Sequence, residues 1–156
     1  MSQTRRLYKT AEVLNSLLTD SIDVHNQFFH IPKQGFFSKI FRKPKLPNYE
    51  LLHDMCLAII NDINKTNIEI SAAVLMGNEE EQRIAEIFMN YIEPFRLEVT
   101  TLKDILAMIC DARLNKQPLE EIKFNTLINQ YECYQKERLQ YGPQMNESIN
   151  LLRVMN

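Results

Sequence analysis

The sequence predicts an all-α protein: an antiparallel bundle of four long helices, a short C-terminal helix, and a long basic-aromatic connection between helices one and two. Three observations lead there. Apolar residues recur at three- and four-residue steps along almost the whole chain, the period of one helical face. Three Gly, six Pro and no Trp in 156 residues leave few turn formers for a β architecture. The breaks after Met76 and Leu114 are short and carry helix start and stop residues.

The first helix is expected from Thr4 to about Phe29. Leu7, Ala11, Leu14, Leu18, Ile22, His25 and Phe29 form its apolar stripe, widened by Val13, Leu17, Val24 and Phe28 into a core-facing surface. His25 on that stripe reads as a packed, hydrogen-bonded residue. Asn48 is the expected N-cap of the second helix, with Glu50 in its first turn, where an acid suits the helix dipole. Leu52, Cys56, Ile59, Ile63, Thr66, Ile70 and Ala73 hold register to Met76, with a kink or break expected in the polar patch 61–67. Gly77 is expected just past the helix end, and Asn78 with Glu81 forms a capping box for the third helix. So short a junction predicts that helices two and three pair antiparallel.

The third helix carries Ile84, Phe88, Tyr91, Phe95, Val99, Leu102, Ile105 or Leu106, and Ile109, and its register survives Pro94, predicting a kinked helix or two stacked ones. Asn115 to Gln117 close it, and Pro118 suits the first position of helix four. Leu119, Ile122, Leu127, Tyr131, Tyr134, Arg138 and Tyr141 continue the pattern until Gly142-Pro143. Met145, Ile149, Leu152 and Met155 then suggest the short terminal helix. Tyr131, Tyr134 and Tyr141 are expected at the core edge with hydroxyls in water and Arg138 stacked across a ring. Residues 1–156 read as a single helical-bundle domain, long enough to bury a core without disulfide or metal support.

Net charge is −2, but unevenly placed. Residues 1–49 hold eight bases and three acids, a balance of +5, and residues 50–156 hold ten bases and seventeen acids, a balance of −7. Cys56, Cys110 and Cys133 lie in apolar helical stretches without C-x-x-C spacing, predicting three packed, reduced thiols. No secretory leader is visible, and the longest apolar runs are six residues against the roughly 20 that a spanning helix needs. A soluble, cytoplasmic protein is expected, with a peripheral place at the inner membrane face as its natural extension.

The glycines lie at element boundaries, outside any phosphate-binding loop, and no hydrolase or zinc motif occurs. Glu50 and His53 make one E-x-x-H. Dimetal carboxylate bundles use two such pairs and two further Glu, so this is a weak metal candidate. Glu79, Glu80 and Glu81 with Glu86 and Glu93 lack the paired three-residue spacing of acids that hold magnesium between helices. They read as an acidic first turn on a solvated face. No cofactor is expected.

The distinctive stretch is the connection. Lys33, Lys39, Arg42, Lys43 and Lys45, with no acid among them, interleave with Phe36, Phe37, Ile40 and Phe41. That composition suits aromatic insertion at an anionic boundary with cations at the headgroups. The expected function is therefore a non-enzymatic interaction protein docking through residues 33–45 on an anionic membrane face or an acidic protein partner. The bland alternative is that the four apolar residues close the end of the bundle. Two rival functions are a partner that neutralises a toxin or effector through the acidic 50–156 face, and a metal-dependent bundle enzyme near Glu50 and His53. Nucleic acid is not expected, because the charge is local and no helix-turn-helix is evident.

Overall fold

The computed structural model describes residues 2–29 and 47–155. Among them 92% are helical and none lies in a strand. Four helices pack against each other: α1 (Gln3–Phe29), α2 (Tyr49–Met76), α3 (Glu79–Leu114) and α4 (Glu121–Met155). At 36 residues α3 is about 54 Å long and carries the centre of the core. Phe88, Phe95, Leu102, Ile105 and Leu106 of α3 are all but inaccessible to solvent, packed with Leu7 and Leu14 of α1 and Cys56, Ile63 and Ile70 of α2. Each such large side chain contributes about 1.5–3 kcal/mol by leaving water.

The helix starts follow the local chemistry. Asn48 Oδ1 accepts the Leu51 N–H at 3.0 Å, and Asn78 Oδ1 accepts that of Glu81 at 3.0 Å. Glu81 Oε2 in turn accepts the Asn78 N–H at 3.0 Å, completing the expected capping box. Its other oxygen accepts the Thr4 hydroxyl at 2.7 Å, so one carboxylate ties the start of α1 to the start of α3. Glu81 is thus buried, not part of a solvated acidic turn as its neighbours suggest. The Thr4 hydroxyl and the Asn78 N–H hold its carboxyl below the usual range against a smaller upward push from burial.

Several expectations change. Gly77 is the C-cap itself, at φ −76°, and no left-handed conformation demands it. Close approach does: a Cβ there would lie 2.7 Å from the Ala73 carbonyl oxygen and 2.9 Å from Glu81 Cβ. The patch 61–67 is unbroken helix, because Ile63 and Thr66 are buried and the Thr66 hydroxyl donates to the Asp62 carbonyl within it. Helix three likewise runs through a buried Pro94 without interruption.

Pro118 is not the first residue of helix four, which begins at Glu121. The chain leaves α3 through a Schellman turn, with Gln117 N–H bonding the Ala112 carbonyl and Lys116 N–H the Arg113 carbonyl. Lys116 takes the left-handed position at φ 51°, and Pro118 falls in the non-helical stretch 117–120 that follows. Among the described residues there is no separate C-terminal helix. α4 continues through Gly142 and Pro143, since Arg138, Met145, Ile149 and Leu152 keep one buried register across them. Pro143 is exposed, so the carbonyl it leaves without an intrahelical donor is one that water can reach.

On α1 the buried line is Leu7, Ala11, Leu14, Leu17, Ser21 and Val24. Leu18 is only half-buried, and Ile22 and Phe29 are exposed. Both lines fit a 3.6-residue period from Leu14. The neighbouring helices selected the one that places small Ser21 at the contact.

Candidate functional site

The predicted docking residues Lys33, Phe36, Phe37, Lys39, Ile40, Phe41, Arg42, Lys43 and Lys45 lie outside the described residues. Their points of attachment are described. The segment leaves from Phe29 and returns before Tyr49, and these helix ends meet in an aromatic cluster. The Phe28 ring stands edge-on to Phe29 at 4.6 Å and to Tyr49 at 6.3 Å. Phe29 also stacks on Tyr131 of α4 at 5.6 Å, and the Arg113 guanidinium at the end of α3 lies 5.3 Å above the Tyr49 ring. All four helices therefore contribute to the end of the bundle from which the basic-aromatic segment emerges. The sequence marks these aromatics individually. Only packing collects them.

Beneath that end lies a polar interior the periodic pattern conceals. Tyr131 Oη is 2.8 Å from His25 Nδ1, so the phenol is buried and hydrogen-bonded, not reaching water. Two turns further along α4, Arg138 forms two hydrogen bonds to Glu98, Nε to Oε2 at 2.5 Å and Nη2 to Oε1 at 3.3 Å. Arg138 also lies 5.9 Å above the Phe95 ring. Both partners are sheltered, with side-chain exposures of 9% and 3%. Burial pushes the Glu98 carboxyl up, and the guanidinium pulls the other way. Burial also raises the Tyr91 and Tyr131 phenols, so both stay protonated. Sequence reading missed Glu98. A signal existed: it stands seven residues after Tyr91 on the apolar stripe, as Arg138 stands seven after Tyr131. Opposite charges on the buried stripes of two helices are a pairing signature.

Among the described residues the metal candidates are not brought together with further ligands. Glu50 is exposed, and the His53 ring faces its neighbour Asp54 at 3.4 Å. Among the described residues no group of three or more His, Cys, Asp or Glu is placed to hold an ion. The cysteines diverge from the expected packed set: Cys56 is buried, Cys110 half-buried and Cys133 exposed. Burial pushes the Cys56 thiol up to about 12, which makes it a poor nucleophile, and raises Cys110 as well. Among the described residues no helix is long and apolar enough to cross a membrane.

Grooves open on the bundle surface. One between α1 and α2 is bordered by Arg6, Lys9 and Lys65 together with Asp62 and Glu69, where Lys65 and Asp62 already pair at 2.9 Å. Another follows the turn from α3 to α4. Neither presents a nucleophile with a base. Compared with protein-family models, curated proteins and solved structures, the chain matches none.

Proposed function

We propose that this protein is a non-enzymatic binding module that docks on an anionic membrane face through residues 33–45, carried on an up-and-down antiparallel bundle. The observation that carries this reading is the segment's composition combined with where it is attached. Five cations and no acid alternate with Phe36, Phe37, Ile40 and Phe41. Phe28 and Tyr49 pin the flanking helix ends side by side. The antiparallel arrangement is supported by the same contacts. Phe28 joins the end of α1 to the start of α2, and Arg113 joins the end of α3 to that start.

Each cation near an anionic surface contributes about 1 kcal/mol, so five supply about 5 before entropy and screening, enough for weak reversible binding with partial aromatic insertion. The test is co-sedimentation with phosphatidylserine vesicles at low salt, with neutral vesicles as control. Binding should weaken with salt as the Debye length falls from about 30 Å at 0.01 M to about 8 Å at 0.15 M. Lys39→Glu, Arg42→Glu and Lys43→Glu together should abolish it with an unchanged melting temperature. Phe37→Ala and Phe41→Ala should weaken it without unfolding. Absence of charge-dependent vesicle binding, with loss of about 3–5 kcal/mol of stability in the Phe variants, would assign the segment to the core instead.

A further inference from the structure

We infer that the groove between the last third of α3 and the start of α4 is a docking site for a basic amphipathic helix of a partner protein. The inference goes beyond the membrane reading and stands on described residues alone. The groove has a volume of about 530 Å³ and is open to solvent. Its apolar floor is Ala107 and Met108 from α3 and Leu127 from α4, all half-buried, and the exposed Leu119, Asn115 and Gln117 also line it. Its border carries Asp104, Asp111 and Glu120 against one cation, Lys123. Lys103 already pairs with Asp104 at 2.9 Å, and Asp111, Glu120 and Lys123 make no ion pair among the described residues, which leaves two open acids against one open base. Leu114 and Ile122, each next in sequence to a lining residue, are 82% and 86% exposed.

An apolar floor inside a charged border selects its occupant. Apolar anchors supply most of the affinity in a helix-in-groove complex, and border charges choose the partner and steer its approach. Asp111 near the end of α3 and Glu120 just before α4 both border the groove and lack a salt-bridge partner among the described residues, so cations on an incoming helix can pair with both. An acidic helix would set like charge against Asp111 and Glu120, and a neutral one would leave them partly desolvated and unpaired. A small apolar molecule would fill the floor without using the charges at all.

The test uses the full chain and a labelled 15-residue peptide with Leu and Phe on one helical face and Lys on the other. Fluorescence anisotropy should show saturable binding, and the same peptide with Glu in place of Lys should not bind. Asp111→Lys with Glu120→Lys should weaken binding by about tenfold or more, with unchanged circular dichroism because both side chains are exposed. Leu119→Ser with Leu127→Ser should also weaken it. Glu132→Lys with Glu137→Lys, the same charge change elsewhere on α4, should leave it unaltered. Equal loss in that control would reduce the effect to the general acidity of the chain and overturn the inference. It would also be overturned if only a variant with Phe37→Ser and Phe41→Ser bound the peptide, since this chain's own segment would then be the occupant.

Discussion

Removing one partner of the Glu98–Arg138 pair should be far more damaging than removing both. Arg138→Met leaves a carboxyl whose side chain is 3% exposed with no cation, and Glu98→Met leaves a guanidinium of 9% exposure with no anion. A buried charge stripped of its partner costs about 3–5 kcal/mol, whereas replacing a whole buried pair by apolar side chains of similar size is neutral or stabilising by about 1–4. For a chain of 156 residues each kcal/mol moves the midpoint by about 2–4 °C, so each single variant should melt about 6–20 °C lower. The double variant should melt at or above the wild type. Urea melts of the four proteins close the cycle.

The pH dependence of Arg138→Met adds a second check. Burial raises the Glu98 carboxyl, and without the guanidinium nothing offsets it. A raised folded-state pKa means the folded protein holds the proton more tightly than the unfolded chain. The stability is full below the unfolded value and is lost as pH rises through the folded one. The deficit of Arg138→Met should therefore be larger at about pH 7 than at about pH 5. Single variants within about 1 kcal/mol of the wild type, or a double variant worse than either single, would refute the account of this pair.

The other predictions concern the ends of the helices. Glu81→Gln should cost about 0.5–2 kcal/mol by weakening the cap and the link to Thr4. Because the Glu81 carboxyl is held low, its stabilisation is present above the unfolded carboxylate value and lost as pH falls through the folded one, so the variant should show a flatter acid limb in melts against pH. Gly77→Ala should lose about 1–3 kcal/mol in urea melts, since its Cβ meets the Ala73 carbonyl at 2.7 Å; a neutral result would mean the turn relaxes freely. Lys116→Gly should gain about 0.5–1 kcal/mol by relieving the left-handed backbone, and Lys116→Val should move the midpoint the other way.

The sequence by itself determined the helical class, the four long helices and the caps at Asn48 and Asn78, because period and capping are local: each depends on residues within a turn or two. It also exposed the uneven charge and the basic-aromatic composition of residues 33–45, which need no coordinates to read. Tertiary structure alone decided which of two adjacent stripes α1 buries, that α4 passes through Gly142-Pro143, and that Glu81 reaches Thr4 across 77 residues of chain. It also paired Glu98 with Arg138, gathered Phe28, Phe29, Tyr49 and Tyr131 at one end, and aligned Asp111 with Glu120 beside an apolar floor. The physical reason is common to all of them. A helix offers several faces of similar hydrophobicity, and the free energy that selects one comes from contacts between residues far apart in sequence, which no local pattern records.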